Sequence, residues 1–226
     1  MTAARSLRTK AMNKSIFPSI GYDRLRMGCD GEGVTTLVCA QGCPLRCKYC
    51  LNPQSSLKKG APRHIFTPEG LRNALKIDSL YFQATGGGVT FGGGEPLLYS
   101  EFIGEFARLV KPSGWRIFIE SSLSVSRERV RLSVGYADFY IIDIKDTDPE
   151  IYKAYTGRDI DRALSNLEWL ISAVGSQKIR VRLPLIPGFN TDAHRDRSEK
   201  LLRDMGVTDI ERFDYIIKDK LKEKDQ

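Results

Sequence analysis

The sequence predicts an α/β fold of parallel strands. One observation carries that reading. From Val34 onward, β-branched runs alternate with stretches of helical periodicity. Such alternation places strands side by side in parallel, with helices as right-handed crossovers. The 226 residues suit one domain with a sizeable core. Residues 30–226 are expected to form it, with residues 1–29 as an N-terminal extension packed on the core.

The strands are expected at Val34–Cys39, Gly88–Phe91, Arg116–Ser121, Phe139–Ile144, Ile179–Leu185 and Ile210–Ile217. Helices are expected at Pro68–Lys76, Ser100–Leu109, Ser126–Val134, Ile160–Ala173 and Ala193–Met205. Thr67-Pro-Glu-Gly opens the first of these as an N-cap with proline at the first helical position. Six strand–helix units are too few for an eight-stranded barrel, so periodicity permits an open sheet or a partial barrel. In parallel barrels the chemistry gathers after the C-terminal strand ends.

Hydrophobic residues make up 41% and charged residues 28%, ordinary for a globular protein. No apolar run reaches the roughly 20 residues of a membrane span. Met1–Lys14 lacks the apolar stretch of a secretory signal, so a reducing cytoplasmic location is expected. The net charge of +7 comes from 35 Lys and Arg against 28 Asp and Glu. These charges are scattered, which argues against a nucleic-acid surface.

All five cysteines lie between Cys29 and Cys50. Cys43, Cys47 and Cys50 stand in C-x3-C-x2-C spacing just after the first predicted strand. Thiolates are the usual ligands of iron–sulfur clusters, and three of them leave one iron of a four-iron cube open. Zinc would want four closed ligands in paired spacing, and no Cys or His pair follows. Cys29 and Cys39 are spare thiols, expected as buried small hydrophobes.

This spacing, with aromatic Tyr49 before the last cysteine, resembles the signature of the radical S-adenosylmethionine (SAM) superfamily. The longer stretch Asp30–Asn52 is similar to the glycyl-radical-enzyme activating branch, of the pyruvate formate-lyase activating type. The resemblance runs from Asp30 to Arg203 and weakens beyond. It implies a six-stranded partial (β/α) barrel, a [4Fe–4S] cluster on Cys43, Cys47 and Cys50, and SAM at the open iron. The ferredoxin-like insertion of many relatives is absent, since Leu51–Thr67 holds no cysteine.

Gly93-Gly94-Glu95-Pro96 matches the family motif that binds the SAM amino group; Gly92 stands where Ser is usual. Glu120-Ser121 takes the place of the relatives' Asp-Thr, and Asp143-Ile-Lys145 matches their Asp-x-Lys. There the carboxylates help hold a monovalent cation beside the SAM carboxylate. The extra methylene of Glu120 puts that cation site in question. Arg182 corresponds to an arginine that approaches SAM, although Arg180 shares its strand face by period. Asp214-Tyr215-Ile216 lies where relatives carry Pro-Tyr-His, so that histidine contact is missing or supplied differently. His64 and His194 read as surface residues.

The function implied is activation of a partner glycyl radical enzyme, with flavodoxin or ferredoxin as electron donor. Two other readings stay open. One keeps the radical chemistry but acts on a small molecule, nucleoside or ribosomal peptide; the altered Glu120-Ser121 and the absent histidine motivate it. The other is a non-catalytic iron–sulfur or nucleic-acid-binding protein, motivated by the basic balance.

Overall fold

The structure is a computed structural model that describes residues 15–56 and 61–215. Its centre is a sheet of eight strands in the order β3-β1-β2-β4-β5-β6-β7-β8. Six run parallel: β2 (Val34–Ala40), β4 (Gly88–Gly92), β5 (Arg116–Ser121), β6 (Phe139–Asp143), β7 (Ile179–Leu185) and β8 (Asp209–Asp214). These are the six expected strands, with ends within a few residues. Of the last, Ile216 and Ile217 lie outside the described residues. The parallel strands follow one another in sequence order without closing on themselves, which is a partial barrel.

Two further strands extend one edge antiparallel: β1 (Phe17–Met27) beside β2, and β3 (His64–Phe66) beside β1. Periodicity does not reveal β1, because its register with β2 shifts twice and its second half is mostly exposed. The strand thus lies in the stretch set aside as an extension.

The helices are α1 (Pro68–Leu75), α2 (Ser79–Thr85), α3 (Ser100–Val110), α4 (Arg127–Ser133), α5 (Pro149–Thr156), α6 (Asp161–Val174) and α7 (Asp192–Asp204). The five expected helices are present, and α2 and α5 are additional. Thr67 caps α1 by accepting from the Gly70 amide, and Asp148 caps α5 by accepting from the amides of Glu150 and Ile151. The helices cover the outer strand faces. Phe91, Ile117, Ile119, Tyr140 and Ile142 pack there against Phe102, Phe106, Val130 and Leu167, all essentially buried. That layer holds the strands in place; their C-terminal ends are left to carry the site.

Candidate functional site

All eleven site residues expected from the sequence line one cavity of about 620 Å³: Cys43, Cys47, Cys50, Gly93, Gly94, Glu95, Glu120, Ser121, Asp143, Lys145 and Arg182. Most of them end, or directly follow, the parallel strands. Arg182 sits inside β7 with its side chain turned into the same space.

The cysteine loop follows β2 and is held by backbone hydrogen bonds on two sides. On one side the Gly42 carbonyl accepts from the Glu95 amide at 2.8 Å, while the Gly42 amide donates to the Ser55 carbonyl at 2.6 Å. On the other, the amides of Arg46 and Lys48 donate to the carbonyls of Thr156 and Tyr155, at 2.8 and 3.1 Å. These carbonyls are free because they belong to the last turn of α5. Gly157 then ends the helix in the left-handed region, with φ of 70°.

The glycines after β4 serve packing rather than flexibility alone. A Cβ on Gly94 would sit 2.4 Å from the Gly42 oxygen and 2.5 Å from the Ala40 oxygen. One on Gly93 would meet the Cys39 Cβ at 2.6 Å. Only bare backbone lets the two loops close on each other.

Glu95 is 1% exposed and fully engaged. Its Oε1 accepts from the Ser121 hydroxyl at 2.8 Å and the Leu97 amide at 3.2 Å. Its Oε2 accepts from the Ser122 amide at 3.0 Å and the Ser122 hydroxyl at 2.8 Å. Burial raises its pKa above the ordinary carboxylate value, and these donors pull the other way.

Asp143 and Arg182 face each other in register across β6 and β7. The Arg182 Nε and Nη2 donate to the two Asp143 oxygens at 2.8 and 3.1 Å, and Nη2 also contacts Glu120 Oε1 on β5. Burial lowers the Arg182 pKa from the usual arginine value, against the opposing pull of Glu211 and Asp30. Arg180, one turn of the pleat earlier, pairs instead with Asp209 of β8 at 3.0 Å. Of the two arginines, Arg182 is the one that lines the cavity. Lys145 lies 3.2 Å from Asp143 Oδ2 and 3.5 Å from the Tyr215 hydroxyl. Burial opposes its charge, but Asp143, Tyr215 and Cys47 together outweigh that, and its pKa ends above the ordinary lysine value.

The spare thiols depart from expectation. Cys29 is exposed, on the turn after β1, where Arg26 Nη2 approaches its sulfur at 3.5 Å. Cys39 is half-buried, and both line the same cavity as the signature cysteines. His64 is exposed on β3, and His194 closes a capping box with Thr191 at the start of α7. Sequence reasoning also missed α5, whose Asp148-Pro149-Glu150 start is a readable cap signal.

Burial drives the thiols of Cys43 and Cys47 up to about 12 and about 11. The Lys145 ammonium pulls Cys47 the other way without overcoming burial, so both thiols stay protonated at neutral pH. Among the described residues no three His, Cys, Asp or Glu side chains gather tightly enough for a single ion. The three signature thiols all line the cavity described above. Among the described residues no helix is long and apolar enough to cross a membrane.

Known proteins resemble this chain in sequence and in fold. The Radical SAM superfamily model matches residues 37–201. A (2S)-3-sulfopropanediol dehydratase activating enzyme from Klebsiella oxytoca is 32% identical, over 72% of this chain and 69% of that one. A pyruvate formate-lyase-activating enzyme from Clostridium pasteurianum is 33% identical, over 70% of this chain and 64% of its own length. The crystal structure of Streptococcus suis SuiB bound to S-adenosylmethionine shares the fold, with a TM-score of 0.61 at 13% identity, covering 78% of this chain and 39% of that one. The chain thus belongs to the Radical SAM superfamily and, within it, to the glycyl-radical-enzyme activating branch.

Proposed function

We propose that this chain is an activase: it uses a [4Fe–4S] cluster and SAM to install a radical on a glycine of a larger partner enzyme. One observation carries the proposal most directly. Three thiols, a glycine loop and a charged strand-end cluster, far apart in sequence, line one cavity. The donor set suits the cluster, and the family implies both cluster and SAM. When bound, these cofactors supply reductive cleavage of the sulfonium and a carbon radical able to take a hydrogen atom.

The protein's part is to hold, orient and exclude. Cys43, Cys47 and Cys50 would ligate three irons as thiolates, so loading releases their protons. Gly93, Gly94 and Glu95 would seat the SAM amino group beside the cluster. The Glu95 carboxylate has its lone pairs filled by four donors, so an arriving ammonium takes the place of a serine hydroxyl, which can rotate away. Ser121, with Glu120, Asp143 and Arg182, would form the charged wall that receives the SAM carboxylate. Lys145, fixed by Asp143 and Tyr215, would face the substrate segment. A backbone glycine is a fitting substrate because its loop can enter the mouth with no side chain in the way. The electron would come from a flavodoxin or ferredoxin in the cytoplasm, directly to this cluster.

The test is anaerobic reconstitution and reduction, with SAM and a candidate glycyl radical enzyme. 5′-Deoxyadenosine together with a glycine-centred doublet in the electron paramagnetic resonance spectrum is expected. Cleavage of SAM without the doublet would move the substrate elsewhere, and no cleavage by a cluster-bearing protein would refute the reading.

A further inference from the structure

Two departures from the family pattern, Gly92 for Ser and Glu120 for Asp, are one structural change. A Cβ at position 92 would lie 2.5 Å from Glu120 Oε2 and 3.0 Å from the Glu120 Cβ. The longer acid therefore occupies the room that a side chain at 92 would need. From there its other oxygen reaches the Arg182 guanidinium, which also grips Asp143 in a two-bonded fork at 2.8 and 3.1 Å. Lys145 adds a contact of 3.2 Å to Asp143 Oδ2.

These are the carboxylates that the resemblance assigns to a monovalent cation, and they do not fit one. Three of their four oxygens already accept from nitrogen, and Glu120 Oε2 is directed toward Gly92. An added ion would have to share those oxygens with their donors, beside a guanidinium and an ammonium of its own sign. The four side chains are formally neutral as they stand, two acids against two bases.

We propose that Arg182 is a built-in cation: its guanidinium ties Glu120 to Asp143 in place of a bound monovalent ion, so SAM binding requires neither potassium nor sodium. This rests on the activase-type SAM site described above. Gly92 is the enabling position and Glu120 the adapted ligand. Arg182 acts as a positioning residue, fixing the charged wall before SAM arrives.

The experiment compares potassium, sodium and N-methyl-D-glucamine chlorides at equal ionic strength. SAM affinity is measured calorimetrically on the cluster-bearing protein, and thermal unfolding on the metal-free protein. For the unaltered chain, affinity within twofold and one unfolding midpoint across all three salts are expected. Arg182→Met frees the two carboxylates, so potassium or sodium should raise its midpoint and tighten SAM at least fivefold relative to N-methyl-D-glucamine. The double change Gly92→Ser with Glu120→Asp, which withdraws the acid from Arg182, should gain the same dependence. Fivefold tightening of SAM by potassium or sodium in the unaltered chain overturns the proposal. So does an Arg182→Met protein that folds and stays indifferent to the salt. Failure of the unaltered, cluster-bearing protein to bind SAM in any salt is a different result, and removes the underlying reading as well.

Discussion

Glu95→Ala tests whether the four-donor cage is a structural joint as well as part of a binding site. The substitution strips partners from two hydroxyls and two amides. The hydroxyls of Ser121 and Ser122 can turn, and they already accept from the amides of Leu123 and Ser124. The amides of Leu97 and Ser122 are fixed by the chain and cannot re-aim. Each buried amide left without a partner costs about 1–3 kcal/mol. Water entering the emptied space returns part of that, and so does removing a carboxylate that burial disfavours. The net loss should be about 2–4 kcal/mol, or about 4–16 °C in the unfolding midpoint for a chain of this size. Glu95→Gln should lose less, about 1–2 kcal/mol, because one oxygen still accepts while the new amide faces a donor. The bond from the Glu95 amide to the Gly42 carbonyl belongs to the backbone, so both variants keep the cysteine loop seated and load iron normally. Denaturant titration gives the stability, iron analysis the loading, and calorimetry a weakened SAM affinity. An alanine variant within about 0.5 kcal/mol of the parent would refute the cage, and unchanged SAM affinity would remove Glu95 from the site.

Other expectations follow from the same geometry. Cys43→Ala, Cys47→Ala and Cys50→Ala should each abolish the cluster's absorbance and all SAM cleavage, whereas Cys29→Ala and Cys39→Ala should leave both intact. Gly94→Ala should lower stability by about 1–3 kcal/mol and reduce iron loading, because its Cβ meets two carbonyl oxygens at 2.4 and 2.5 Å and one loop must move; normal iron content would contradict this. Burial raises the folded-state thiols of Cys43 and Cys47 from an ordinary 9.0 to about 12 and about 11. Their stabilising contribution is thus complete below about pH 9 and is lost as pH climbs toward the shifted values, so metal-free protein should lose stability across that range. A flat profile in a pH series of denaturant titrations would contradict it. Asp148→Ala removes the cap of α5 and should cost about 1 kcal/mol, with faster alkylation of Cys47 in the metal-free protein; alkylation at the parent rate would separate the helix from the loop.

The legible part of the fold was the part governed by repetition. Strands such as Val34–Ala40 and Ile179–Leu185 are apolar enough to identify themselves, and the chemistry falls after them. Strand β1 was not legible, because Pro18, Gly21 and its charged second half break any alternation and its partners lie elsewhere in the chain. The cysteine and glycine motifs could be read as spacing, but their mutual closure could not. Nothing in Gly94 says that its neighbour is the Gly42 carbonyl. Likewise Arg180 and Arg182 share a face by period, and only the register of β6, β7 and β8 assigns them different acids. The coupling of Gly92 to Glu120 is of this kind too, since two separate oddities in a string become one fact when the strands lie side by side.

The seat of the cysteine loop has a consequence for the order in which the protein becomes competent during its synthesis. The three thiols leave the ribosome early, but the carbonyls of Tyr155 and Thr156 that receive the loop's amides arrive more than a hundred residues later. Until then the loop that carries Cys43, Cys47 and Cys50 lacks the two hydrogen bonds that Arg46 and Lys48 make to α5. A nascent chain halted before α5 therefore lacks one of the two sides that seat this loop in the folded protein. Delivery of iron and sulfide is best timed after α5 has docked, and an assembly factor that waited for the folded loop would find its target only then.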